Sequence, residues 1–210
     1  MSEQQTETVD EQDDHGQLDE QGRHDEHGQV VDRELDPEAE YRRRVAIAQV
    51  RQWGDPVLRL HAHEVTAFDD DLVRLAGRMV ELMHDASGLG LAATQIGILR
   101  RLFVFQTKED EEAIAVVNPV IVEFGDEREP DDEGCLSLQG VLVPVERITA
   151  VTLEGSDVTG APLRLELTGL GARVVQHELD HLDGVLIIDR TDRESRRGAL
   201  KALRPQPTLD

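Results

Sequence analysis

Residues 174–182 read Val174-Val175-Gln176-His177-Glu178-Leu179-Asp180-His181-Leu182. Val174, Val175, Leu179 and Leu182 recur at helical spacing and give a helix one apolar side. His177 and His181 stand four positions apart, so on a helix both imidazoles share a face and can bind one metal ion. Glu178, next to the first histidine, can reach a water at such an ion. Its job there would be to take a proton and pass it to a leaving amine. Taken alone, H-E-x-x-H also describes a charged helix with two surface histidines.

Two histidines leave a catalytic metal one protein ligand short, and another histidine, a carboxylate or a thiolate could complete the set. The metzincin extension of the motif needs a histidine where Ile187 stands. A glutamate downstream would have to be Glu194, the last one in the chain. The other unusual segment is Glu133-Gly134-Cys135-Leu136-Ser137, which holds the sole cysteine. Gly134 lets the backbone approach a ligand closely. A lone cysteine can be a core residue, a nucleophile or a metal ligand. A third segment, Gly88-Leu89-Gly90-Leu91-Ala92-Ala93-Thr94-Gln95, combines small residues with an amide donor. By itself it reads as a tight helix-to-strand connection.

Around these segments the pattern is that of an α+β chain. Asp69-Asp70-Asp71 precedes Leu72, Leu75, Ala76, Met79, Leu82 and Met83, an acidic start followed by one apolar helical face. Met79 and Met83 are expected in the core. Short runs rich in Val, Ile and Leu follow: Leu102–Phe105, Ala115–Val117, Val120–Phe124, Val141–Val145, Ile148–Leu153 and Leu163–Leu167. They read as largely antiparallel strands because their links are short. A helix is predicted from Leu170 to Leu182, a last strand over Val185–Ile188 and a short helix within Arg193–Arg204. The expected fold is thus mostly antiparallel sheets packed around a central H-E-x-x-H helix, with a second long helix nearer the N-terminus.

Composition limits the function classes. The 210 residues suffice for one domain with a core. The formal charge of -22, from 44 acidic and 22 basic residues, argues against a broad DNA- or RNA-binding surface. No run of about 20 apolar residues is present, so no membrane span is expected. The first ten residues lack the pattern of a signal peptide, which predicts a cytoplasmic protein. Residues 1–40, rich in Gln, Asp, Glu, His and Gly, are expected to be a disordered acidic tail, with His15, His24 and His27 in it. The expected catalytic unit is 41–190, followed by a basic extension over 191–210.

The three motifs in this order resemble the peptide deformylase family, from about Val45 to Arg190. In that family the glycine-rich segment ends in glutamine, the second motif is E-G-C-L-S and the third is Q-H-E-x-D-H, here Gln176 to His181. Gly54-Asp55-Pro56-Val57-Leu58-Arg59, Asn118-Pro119 and His181-Leu182-Asp183-Gly184 are similar to the family's flanks. The resemblance implies that Cys135, His177 and His181 hold one divalent metal ion. The expected ion is Fe2+, with Zn2+, Ni2+ or Co2+ as substitutes. It implies that Glu178 moves the proton, and that the Gln95 amide and Leu136 N–H stabilise the formyl oxygen of an N-formylmethionyl peptide. Leu89, Gly90 and Gly134 would pair with that peptide as an added strand, and Leu89, Leu170 and Val174 would wall its methionine pocket. Many relatives have proline where Gln139 stands, so the cleft entrance is expected to differ. A Glu133–Arg147 ion pair is expected to brace the second motif. Arg193, Arg197, Lys201 and Arg204 line one face of the last helix, where contact with ribosomal RNA near the exit tunnel is one expectation and a solvated tail the other. Two other functions fit parts of the pattern: a metallopeptidase with a different third ligand, and a non-catalytic metal module, for which His61 and His63 would be extra donors.

Overall fold

The computed structural model describes residues 36–108 and 111–204. Most of the predicted acidic tail, including His15, His24 and His27, lies outside the described residues. Its last residues do not: Asp36 caps helix α1 (Pro37–Ile47), accepting from the backbone N–H groups of Glu38 and Ala39, with Pro37 at the first helical turn. Helix α2 (Asp70–Asp85) is capped by Asp69 and buries Leu72, Ala76, Met79, Leu82 and Met83. Both methionines are fully buried, as expected of core residues.

Five strands form one antiparallel sheet: β1 (Gly90–Ala92), β2 (Leu102–Phe105), β3 (Ile114–Phe124), β6 (Ala150–Ser156) and β7 (Pro162–Thr168). Their spatial order is β1-β2-β3-β6-β7, so β1 is an edge strand. A separate antiparallel hairpin pairs β4 (Arg128–Glu133) with β5 (Val143–Ile148). Helix α3 (Gly169–Leu182) carries the H-E-x-x-H motif and packs between these layers. Two short helices, α4 (Ile187–Arg190) and α5 (Arg193–Ala202), cover the hairpin.

Several sequence expectations change in detail. Ala115–Val117 and Val120–Phe124 are one strand, not two. Asn118 interrupts its register at positive φ, and its side chain bridges to the backbone of Val65, donating 2.9 Å to the carbonyl and accepting 2.8 Å from the N–H. The predicted strand at Val185–Ile188 is not a strand. Gly184 turns the chain at φ +69° and Asp189 accepts from the Leu186 N–H at 3.0 Å. Leu186, Ile187 and Ile188 are then all buried, which looks strand-like in sequence but belongs to α4. The hydrophilic strand β4, Arg-Glu-Pro-Asp-Asp-Glu, has no apolar alternation and forms through its ladder with β5. Gly90–Ala92, read as part of a connection, is the edge strand β1.

Candidate metal centre and substrate cleft

The three motifs meet at one point. The ligand atoms of Cys135, His177 and His181 all lie within 4.8 Å of one another, and no other trio of His, Cys, Asp or Glu converges this way among the described residues. Cys135 Sγ is 3.2 Å from His181 Nε2, and the two imidazole centroids are 5.0 Å apart. The helical i, i+4 spacing supplies the histidine pair, while the loop after β4 brings the thiol to it. That loop is held from outside: Trp53 N–H donates to the Ser137 carbonyl at 2.8 Å, and Gln52 Nε2 to the Leu136 carbonyl at 3.1 Å. The same segment anchors the glycine-rich motif, since Arg51 N–H donates to the Gln95 carbonyl at 2.6 Å.

These donors fit a divalent cation. One soft thiolate and two imidazoles suit borderline transition metals, and three protein ligands leave a coordination position open, as catalytic sites do. Burial opposes a charge on His177, but hydrogen bonds with Cys135 and Glu133 outweigh it and hold its pKa well above the usual histidine range. Burial and the neighbouring His177 push His181 well below that range. Nδ1 of His177 lies 3.1 Å from Glu133 Oε2, a contact that orients its other nitrogen toward the thiol.

Glu178 is buried, with Oε2 lacking any hydrogen-bond partner among the described residues. Burial, aided by the charge of Glu133, raises its pKa to about 7. A carboxyl poised near neutrality can both accept and return a proton. The space for it explains Gly90, where an added Cβ would come within 2.4 Å of Glu178 Oε1. Gln95 is buried beside the thiol. Its Oε1 accepts from the Ala92 N–H at 2.8 Å, which aims Nε2 toward Ser137 Oγ (3.3 Å) and Cys135 Sγ (3.8 Å).

A network of buried charge supports the cluster from behind. Arg147 binds Glu133 with two bonds of 2.9 Å and Asp180 with one of 2.6 Å. Arg173 adds a second cation to Glu133 at 2.9 Å, and Arg190 a second to Asp180 at 2.5 and 3.0 Å. Burial would raise the Glu133 carboxyl, but Arg147 and His177 hold it well below its ordinary value. The expected Glu133–Arg147 pair is thus the centre of a larger network. Asp180, legible in the sequence only as a polar neighbour of the ligands, is buried in it. Gln176 stitches α3 to the end of β5, donating to the Ile148 carbonyl at 2.8 Å.

A cleft of about 430 Å³ opens onto the cluster. Leu89, Gly90, Gln95, Gly134, Cys135, Leu136, Leu170, Val174, His177 and Glu178 all line it, so every site residue read from the motifs borders it except His181, whose Nε2 is 3.2 Å from Cys135 Sγ. Leu89, Leu170 and Val174 also pack in the core cluster beneath the sheet, so their packing and cleft-lining roles coexist. The free edge of β1 faces the same space. Gln139 stands at the entrance, exposed, with its Nε2 donating to the Leu136 carbonyl at 2.8 Å. Arg43 and Arg173 line the cleft as well, and no motif points to either: one sits in a helix outside the motifs, the other among the apolar residues of α3. His61 and His63 are exposed and take no part.

An H-E-x-x-H helix packed between sheets, with a cysteine beside its two histidines and a buried carboxyl next to them, is the arrangement of a metal-dependent hydrolase. The sequence comparisons sharpen that class. The profile of the polypeptide deformylase family matches residues 47–197. A peptide deformylase of Acidothermus cellulolyticus is 46% identical over 160 residues, covering 76% of this chain and 87% of that protein. The crystal structure of the Thermotoga maritima peptide deformylase matches with a TM-score of 0.66 at 45% identity, covering 68% of this chain and 96% of that one. That of Legionella pneumophila matches with a TM-score of 0.70 at 37% identity over 73% of this chain and 91% of that one. The chain belongs to the peptide deformylase family. It is a hydrolase that removes the N-formyl group from nascent peptides.

Proposed function

We propose that Cys135, His177 and His181 hold an Fe2+ ion, for which Zn2+, Ni2+ or Co2+ can substitute, and that the reaction runs on the residues around it. The observation that carries this reading is the convergence of one thiol and two imidazoles beside a buried carboxyl with an unpartnered oxygen. When bound, the ion supplies positive charge that acidifies water and polarises a carbonyl oxygen. Glu178 takes a proton from the attacking water and returns it to the departing α-amine. The Gln95 amide and the Leu136 N–H donate to the formyl oxygen as negative charge grows on it. Burial of this space strengthens each of those interactions. The peptide lies as an added strand along the free edge of β1, using backbone groups of Leu89, Gly90 and Gly134. Its methionine side chain enters between Leu89, Leu170 and Val174.

The catalytic unit in this reading spans 41–190, with 191–210 as a basic extension. Arg193, Arg197, Lys201 and Arg204 are all exposed in and after α5. We assign them to phosphate contacts on the ribosome near the exit tunnel, where formylated chains emerge. No helix among the described residues is long and apolar enough to cross a membrane, and we place the protein in the cytoplasm.

Formate release from formyl-Met-Ala-Ser by anaerobically purified protein, with metal content measured in parallel, tests the site. Rapid release with one iron per chain is expected, and Cys135→Ala should lose both. A Cys135→Ala protein that keeps its metal would mean that another ligand set operates.

A further inference from the structure

Helix α1 lies ahead of the matched family region, which begins at residue 47 and so takes in only the last residue of the helix. The helix is nonetheless docked. Ala46 and Val50 are buried, and Ile47 packs into the cluster that also holds Ala86 and Leu136. Arg78 of α2 donates to Gln49 at 3.0 Å just beyond its end. Arg43 lies one turn before Ile47 and lines the cleft together with Ser87, Gly88 and Leu136.

The neighbours of Arg43 are engaged on the helix's own surface. Arg42 pairs with Glu38 at 3.2 Å, and the Arg44 guanidinium sits 5.7 Å above the Tyr41 ring. Arg43 points elsewhere. It lines the cleft, and its Nε is buried with no hydrogen-bond partner among the described residues. Leaving a buried donor of a cation unpaired is costly, and such groups normally find an acceptor. The buried Nε is closed to an arriving group, but the terminal guanidinium nitrogens also have no hydrogen-bond or ion-pair partner among the described residues, and they are the donors that a substrate oxygen in the cleft can meet.

We propose that Arg43 is a specificity-determining residue that hydrogen-bonds an oxygen acceptor of the substrate peptide beyond its first residue. The inference rests on the deformylase reading, which puts the reacting end at Cys135, His177 and Glu178. From there the edge of β1 leads back through Gly90 and Leu89 to Gly88, Ser87 and the α1 end of the cleft. A guanidinium there meets either a main-chain carbonyl or an acidic side chain of a downstream residue, since both offer the same oxygen chemistry. Residues outside the family domain would thus extend the recognition surface without touching the reaction centre.

The test compares wild type, Arg43→Ala and Arg43→Lys with peptides of different length and charge. Binding of the C-terminally amidated products Met-Ala, Met-Ala-Ser and Met-Ala-Glu is measured by calorimetry, and KM and kcat are measured with their formylated forms. Arg43→Ala should weaken binding of the longer peptides and raise their KM by about five- to tenfold, with kcat and the dipeptide unchanged. Arg43→Lys should restore part of the loss. A loss confined to Met-Ala-Glu identifies a side-chain carboxylate as the acceptor, and an equal loss for both tripeptides a main-chain carbonyl. Unchanged affinity for every peptide overturns the proposal. So does a uniform loss that includes the dipeptide and accompanies a lower melting temperature, because that marks Arg43 as structural. Wild-type protein that binds these peptides but releases no formate would count against the deformylase reading while leaving the Arg43 comparison intact.

Discussion

Helices α2 and α3 each bury one face, and the two faces differ in kind. The inner face of α2 is Leu72, Ala76, Met79, Leu82 and Met83, with no polar group among them. The inner face of α3 includes Glu178, Asp180 and His181 beside Val174, Val175 and Leu182. An apolar face is stabilised by removing its area from water and depends on filling space. A polar face is tolerable only where each charge has a partner, which is why Arg147 and Arg190 converge on Asp180. Glu178 and His181 are the exceptions, with Oε2 of the one and Nδ1 of the other buried and unpartnered among the described residues. The contrast separates the residues that hold the fold from those that hold the chemistry.

The comparison makes its strongest demand at Glu178. Glu178→Gln should lower formate release by about 10²- to 10⁴-fold. Its melting temperature should stay level or rise, because a neutral amide avoids burying charge. A destabilised variant would make Glu178 a structural residue like those of α2. Arg147→Met should act in the opposite sense. With Glu133 and Asp180 left undercompensated, denaturant unfolding is expected to lose about 3–5 kcal/mol. A loss below about 1 kcal/mol would mean that Arg173 and Arg190 carry the network alone.

On the apolar side, Met79→Ala should cost about 2–5 kcal/mol through the cavity it leaves. The rate constant of the folded fraction should not change, and a fall in kcat without unfolding would dissolve the division between the two helices. The smallest effect is expected from pH. Glu133 is held below the ordinary glutamate value of 4.5, so the folded state gains stability above that value and loses it as pH falls further. Unfolding followed from pH 6 downward should show this decline, reduced in Glu133→Gln and unaltered in Met79→Ala. Equal slopes in all three proteins would remove Glu133 from the pH response.

Much of this division was legible in the chain. The i, i+4 histidines and the apolar stripes of α2 and α3 depend on local spacing, which a helix converts directly into a shared face. The class of fold followed from the change of period after Gly88. Strand β4 was hidden because Arg128–Glu133 has no apolar alternation, and α4 was misread because three consecutive buried residues satisfy a strand or a helix turn equally.

The sequence by itself determined the family, and it named the candidate ligand types and the carboxyl proposed to carry the proton. Each is written in a contiguous motif whose residue types have few chemical uses. Only the tertiary structure decided how Cys135 reaches the histidines, which cations neutralise Glu133 and Asp180, and that Arg43 enters the cleft. Those relations join residues far apart in the chain. Their partners are fixed by packing and by the need to pair buried charge, and no local spacing encodes either.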